Sequence, residues 1–324
     1  METYFIVTVD TEEMGLWSQQ FQAIYDDTEH IREIPVFQKI CDKYGVLPSY
    51  LMDYPIIKHT LSSRILKEIY KDGKCEIGAH MHPWCTPPYE EDRTIANSYF
   101  HNLDPQLQEA KLGNLTAAIK DNFGINPVVF RSGRFGFSES QALLLRKFGY
   151  LVDSSIIPFM DYRYEGGPDF EGKPFCPYWI NTGDNSGPLL EIPVSVGFNR
   201  ANFKFCSVIF KNLAENTLAR KVHLIGILDT LTIMQKIVFS PENSSLNRLK
   251  SLSRIYTRKN LRVLNMYLHS SSFVPGGTPY VRSDKDLKLF LAKLDNIFDF
   301  LINNLGVKNI TLDGYRTLLS REEP

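Results

Sequence analysis

Several things are scarce in this sequence, and each scarcity excludes something. No run of about eighteen apolar residues occurs, so no membrane-spanning helix is expected. Neither charge dominates: 36 basic residues stand against 37 acidic ones. That balance excludes a general nucleic-acid binder and leaves no nucleic-acid polymer among the expected partners. The opening Met1-Glu2-Thr3-Tyr4-Phe5-Ile6-Val7 has no basic n-region and no long apolar h-region, so no signal peptide is expected. The cysteines (Cys41, Cys75, Cys85, Cys176, Cys206) are odd in number and scattered, with no CxxC pair. Together with the missing signal they read as reduced thiols in a cytoplasmic protein. There is no internal repeat, no low-complexity tract and no linker-like stretch. One domain over residues 1–324 is expected, with a helical insertion around 200–260.

What is present is alternation. Strand-like runs over Tyr4–Val9, Val46–Met52, Cys75–Ala79, Pro127–Phe130, Tyr150–Val152, Leu189–Val196 and Leu261–Leu268 are separated by helical patterns. Ile31–Tyr44 stops at Gly45, and Leu61–Lys71 keeps Leu61, Ile65, Leu66, Ile69 and Tyr70 on one side. The helix Asp104–Phe123 has a capping Asp104, Pro105 in its first turn and Gly124 after it. Ser138–Phe148, Ala214–Phe239, Leu246–Tyr256 and Asp284–Asn303 also read as helices, Asn309–Leu312 as a last strand, and Pro158–Pro188 as irregular. Strand–helix alternation predicts an α/β fold of parallel strands with helical crossovers, a barrel or a doubly wound sheet.

The strand ends carry the chemistry: Asp10 and Glu12, His80 and His82, Arg131, Asp153, and His269. In α/β barrels these ends converge on one mouth. His80 and His82 are two apart, so on extended backbone they point the same way. Two imidazoles and one carboxylate leave an open position, the pattern of catalytic zinc sites. Of Asp10 and Glu12, one could bind the ion while the other takes a proton. Glu13 is expected to face a helix or solvent. Each residue also has a plainer reading: acids after strands form turns or caps, Arg131 can be an ion-pair partner, Asp153 can cap a turn, and His269 can be a satisfied rim residue. Trp84 and Tyr89, in the loop Pro83–Leu103, could pack or could stack on a sugar.

In their order these residues resemble the polysaccharide deacetylases with a NodB homology domain, carbohydrate esterase family four. The first motif of that family, often T-F-D-D-G, stands here as Thr8-Val9-Asp10-Thr11-Glu12, a D-x-E form. The second, H-[ST]-x-x-H after E-I-G-x, is matched by Glu76-Ile77-Gly78-Ala79-His80. It departs afterwards, because the position four on is Trp84 and the nearest imidazole is His82. A subset of NodB-like proteins carries His-x-His-Pro-Trp followed by Thr-Pro-Pro, as His80 to Trp84 and Thr86-Pro87-Pro88 do here. The third motif, R-x-P-[FY]-G, is echoed by Arg131-Ser132-Gly133-Arg134-Phe135-Gly136 with an altered middle. The fourth centres on Asp153, and the fifth is Leu268-His269.

The resemblance implies a distorted (β/α) barrel and a metal-dependent removal of an N-acyl group, acetyl first, from an amino sugar. Asp10 would be the base, oriented by Arg131. Glu12, His80 and His82 would hold a divalent ion, zinc by preference. His269 would be the general acid, tuned by Asp153. With a cytoplasmic address, the expected partner is an N-acylated sugar, nucleotide- or lipid-linked or an oligosaccharide. A deformylase, a cyclic amide hydrolase, or an inactive glycan-binding module on the same fold are the alternatives. Leu218 to Phe239 mixes basic and apolar residues and reads either as a helix packed on the barrel or as a peripheral membrane contact.

Overall fold

The computed structural model describes residues 2–18, 27–184 and 186–322. Its first half runs β1 (Tyr4–Thr11), α1 (Ile34–Tyr44), β2 (Ser49–Met52), α2 (Tyr54–Lys58), α3 (Thr60–Lys71), β3 (Glu76–Met81), α4 (Pro105–Phe123), β4 (Val129–Ser132), α5 (Ala142–Lys147) and β5 (Val152–Asp153). Then come β6 (Tyr178–Ile180), β7 (Leu189–Glu191), β8 (Val196–Phe198), α6 (Phe203–Glu215), α7 (Thr217–Lys221), α8 (Leu224–Thr230) and β9 (Lys236–Val238). The chain ends with α9 (Leu246–Arg258), β10 (Val263–His269), α10 (Asp284–Asp299), β11 (Lys308–Asn309) and α11 (Leu312–Glu322).

The main sheet has the order β10-β1-β2-β3-β4-β5-β7-β6, with β11 beside the start of β1. Pairs from β10 to β7 are parallel, and β6 closes the edge antiparallel. The sheet curls into a distorted barrel. Past β7 the chain reaches the opposite edge, where Ser195 N donates to Asn265 O at 3.0 Å and Asn265 N donates to Ser195 Oγ at 2.9 Å. β8 and β9 form a separate antiparallel pair next to this seam.

Period-two alternation decides what faces where. Phe5, Val7, Val9, Tyr50, Met52, Ile77, Ala79, Met81 and Phe130 belong to the large core packed under the helices. Ile6, Leu51, Val129, Val152 and Val263 belong to a second, smaller core that includes Leu312, Tyr315 and Leu319 of α11. That second core is the barrel's floor, and α11 plugs it from below. Moving up the same faces, the residues turn polar: Thr8 and Asp10 follow Ile6, Arg131 follows Val129, and Asn265 precedes His269. A strand face that is apolar at one end and polar at the other carries its polar groups to the barrel mouth.

Helix ends follow local chemistry. Asp104 accepts a bond from Gln106 N to cap α4, and Gly45 and Gly124 close α1 and α4 in the left-handed conformation that a side chain resists. The expected helix Ala214–Phe239 is overturned. Asn216 ends α6 in extended backbone and caps α7, His223 sits at positive φ, and Lys236–Val238 pairs as a strand with β8. β-branched Ile237 and Val238 suit a strand better than a helix. The irregular Pro158–Pro188 holds β6, and Leu312, expected to end a strand, begins α11. No helix among the described residues is long and apolar enough to cross a membrane. All five cysteines are free thiols.

Candidate metal centre

Strand register assembles the site. Asp10 lies opposite His269 across β1 and β10, and His80 lies opposite Arg131 across β3 and β4. β3 ends at Met81, but His82 keeps extended backbone (φ −104°, ψ 112°), so it continues the alternation. Both imidazoles therefore face Glu12. Glu12 Oε2 lies 3.3 Å from His80 Nε2 and 3.4 Å from His82 Nε2.

This set fits a divalent ion. A four-coordinate ion with bonds of about 2.0–2.2 Å holds its ligand atoms about 3.3 Å apart. Both carboxylate oxygens of Glu12 and Nε2 of His82 are buried with no hydrogen-bond partner among the described residues. Buried polar atoms are ordinarily paired, so converging unpaired acceptors call for a cation. Glu13, Asp53, His82 and Cys85 form a second cluster of potential ligands. Glu13 and Asp53 there already accept bonds from protein N–H groups, which leaves that cluster less suited to an ion.

Beside the ligand cluster stands a buried ion pair. Arg131 Nη1 donates to Asp10 Oδ1 at 2.6 Å, Nη2 donates to Thr8 Oγ1 at 2.8 Å, and Nε donates to Ser154 O at 2.7 Å. Burial alone would push the Asp10 carboxyl up. The charge of Arg131, with His80 and His269, more than reverses this and holds Asp10 below the usual carboxylate range.

Across from Asp10, His269 Nε2 lies 4.0 Å from Asp10 Oδ2. Its Nδ1 lies 2.8 Å from Glu242 Oε2, and Glu242 Oε1 accepts from His269 N at 2.9 Å. Burial would lower His269, but Glu242 first, then Glu12 and Asp10, raise it to about 10. The resemblance places Asp153 beside this ring, but the carboxylate on it is that of Glu242. Asp153 accepts from Ser155 Oγ at 2.6 Å and faces Glu191 behind Arg131, where burial pushes its own carboxyl up. Glu242 follows β9 in Ser240-Pro241-Glu242-Asn243, a stretch without a motif.

Of the two expected placements of Glu13, against a helix or in solvent, the second is overturned. β1 ends at Thr11, the period-two rule lapses, and Glu13 is buried rather than solvent-facing. Its Oε2 lies 3.1 Å from His82 Nδ1, and its Oε1 accepts from Trp84 Nε1 at 2.8 Å. Trp84 is buried and stacks on His82 with ring centres 4.2 Å apart, so it packs that imidazole and offers no sugar platform. Burial and the neighbouring Glu13 charge push Asp53 well up. Glu13 itself is held down against burial, chiefly by His82. The altered third motif has a steric reason: a Cβ on Gly133 would stand 2.0 Å from His82 Cδ2. Ser270 Oγ accepts from Glu12 N at 3.1 Å and lies 3.0 Å from His30 Nε2, fixing the backbone that carries Glu12.

Asp10, Glu12, His80 and His269 open onto a cleft of about 380 Å³ walled by Trp17, Tyr99, Phe135, Tyr162, Tyr267 and Tyr280. Arg134 and Phe135 hold positive φ (53° and 57°), a strained turn that delivers both to the cleft. Arg134 stacks over Tyr99 and binds Glu165.

No protein-family model matches the sequence, and no curated protein matches it. Solved structures do match. A protein of glycoside hydrolase/deacetylase type from Parabacteroides distasonis superposes with TM-score 0.60 at 9% identity, covering 100% of this chain and 72% of that one. A protein assigned as a polysaccharide deacetylase from Pseudomonas aeruginosa PAO1 gives 0.54 at 12%, covering 100% and 92%. The 4-alpha-glucanotransferase of Thermococcus litoralis gives 0.55 at 11%, covering 98% of this chain and 40% of that one. At these identities the likeness is one of fold, and the fold is the NodB type of the polysaccharide deacetylases.

Proposed function

We propose that this chain is a metal-dependent hydrolase that removes an N-acyl group, acetyl first, from an amino sugar. The observation that carries the reading is the convergence of Glu12, His80 and His82, with both Glu12 oxygens and His82 Nε2 unpaired among the described residues, between an arginine-bound aspartate and a glutamate-bound histidine at the floor of an aromatic cleft. Glu12, His80 and His82 would hold the ion, zinc by the preference of imidazole and carboxylate donors. When bound, the ion supplies Lewis acidity that activates water and polarises the acyl carbonyl.

The other residues divide the proton work. Asp10, kept ionised by Arg131, accepts the proton of the attacking water. His269, kept protonated by Glu242, donates to the sugar nitrogen as the C–N bond breaks, since an unprotonated amine leaves poorly. Arg131 spans Asp10, Thr8 and Ser154, so it fixes the direction of the base. Asp153 supports that arrangement from behind Arg131. The aromatic wall suits the C–H faces of a sugar, and the Arg134–Glu165 pair offers polar edges for its hydroxyls. The sugar is carried on a nucleotide, a lipid or an oligosaccharide. Five unpaired thiols support a reducing, cytoplasmic setting. The chain reads as one domain with its helical insertion around residues 200–260.

The test is metal analysis of the purified protein, followed by acetate release from N-acetylated sugar nucleotides and lipid-linked sugars. His80→Ala loses metal and turnover together, and Asp10→Asn keeps metal and loses turnover. Full activity in a metal-free His80→Ala protein would refute the reading.

A further inference from the structure

The described residues expose sixteen large apolar side chains, and seven of them fall within α6–α8 and the turn that follows: Phe205, Val208, Leu218, Val222, Ile227, Leu231 and Ile233. They are not scattered along the sequence. Phe205 and Val208 are three apart on α6, Leu218 and Val222 four apart on and just past α7, and Ile227 and Leu231 four apart on and just past α8. Each spacing puts its pair on one helix face. Leu218 is 71% exposed, Phe205 61% and Leu231 60%, values unusual for side chains of this size. The opposite face of α6 is already docked. Phe203 and Cys206 are buried, and Phe210 lies against Phe198 and under the Lys236 ammonium. The outward apolar pairs are thus left over after the fold has used the inward ones.

Charge says what covers them. Residues 200–236 hold six basic side chains (Arg200, Lys204, Lys211, Arg220, Lys221, Lys236) and two acids (Glu215, Asp229), in a chain whose net charge is −1. Both acids are committed, Glu215 to Lys211 and Asp229 to Arg248. Lys204, Arg220 and Lys221 are exposed and form no ion pair among the described residues. A second copy of the same surplus would be repelled. An anionic bilayer complements it, with apolar side chains entering the headgroup boundary and cations resting above it.

We propose that α6–α8 form a platform that seats this protein on an anionic lipid surface. The platform is tied to the cleft. Lys236 Nζ donates to Phe159 O at 2.7 Å, in the loop that carries Tyr162 to the cleft wall, and β9 runs on to Glu242. The inference does not rest on the hydrolytic chemistry proposed above.

The test is co-sedimentation of the full chain with phosphatidylcholine vesicles, with and without phosphatidylglycerol. The protein is expected to sediment with the phosphatidylglycerol vesicles at low salt, to be released at high salt, and to ignore phosphatidylcholine alone. Arg220→Gln with Lys221→Gln weakens binding about thirtyfold. Phe205→Ser with Leu218→Ser abolishes it, with melting temperature and metal content unchanged. Folded protein that stays in the supernatant with both vesicles overturns the proposal. So does equal binding to both vesicles that neither variant alters, or a dimer that Leu218→Ser dissociates in a protein that binds no vesicle.

Discussion

Glu13 and His82 are joined at 3.1 Å through Oε2 and Nδ1, while the other nitrogen of the same ring lies 3.4 Å from Glu12 Oε2. One imidazole thus bridges two buried carboxylates. An ionised Glu13 holds a proton on Nδ1, which fixes the ring so that Nε2 is the nitrogen facing Glu12.

The first prediction follows from that bridge. Glu13→Gln replaces an acceptor that serves both His82 and Trp84 with an amide whose single oxygen can serve one of them. Metal affinity should fall roughly 10–100-fold while the fold is kept. Metal titration and circular dichroism check both halves, and an unchanged affinity would show that Glu13 only packs.

Gly133 makes a sharper demand. A methyl group there meets His82 Cδ2 at 2.0 Å and Met81 O at 2.9 Å. Gly133→Ala must therefore move the ring or the turn, at a cost of about 1–3 kcal/mol in stability. The moved ring should lose its place in the ligand set. Chemical denaturation and metal content together test this, and a variant with normal metal content and stability would contradict the geometry.

The pH dependence should carry the mark of Glu242. His269 is raised to about 10 against an ordinary 6.5, so it is protonated, and active as an acid, across neutral pH. Activity that needs this proton is present below that value and is lost as pH rises through it. Glu242→Gln removes the largest cause of the elevation. The alkaline limb of kcat should then move down toward neutrality, with little change on the acid limb. A pH–rate profile in which the alkaline limb stays where it was would remove His269 from the proposed role.

Lys111 of α4 tests the loop behind the second motif. Its ammonium is buried and donates to Pro83 O at 2.9 Å, Thr86 O at 2.7 Å and Pro88 O at 2.6 Å, with Glu91 2.9 Å away. Lys111→Met leaves three carbonyls and a carboxylate without their cation. A loss of about 3–5 kcal/mol is expected, measured by urea unfolding. Hydrogen exchange should rise first in residues 83–91.

Much of this site is legible in the linear chain because strands impose a period of two. Asp10 with Glu12, and His80 with His82, could be assigned to one face from spacing alone. The apolar-to-polar gradient along each strand pointed to the end at which they would gather. Residues outside that rule were hidden. Glu13 sits where β1 has ended, so alternation no longer decides its side. Glu242 comes from the turn after β9, outside every element that the spacing predicts, and reaches His269 through a fold that brings residues 27 positions apart together. Asp153 occupied the expected place in the order, yet its strand carries it behind Arg131.

The sequence by itself determined the alternation of elements, the strand-end chemistry and the pair of histidines. These depend on local backbone period and on residue type. Only the tertiary structure decided which carboxylate holds which ring, that Trp84 packs His82 and does not meet a sugar, and that α6–α8 leave their apolar pairs uncovered. Those outcomes depend on which surfaces remain after the barrel has closed, and no local period encodes that.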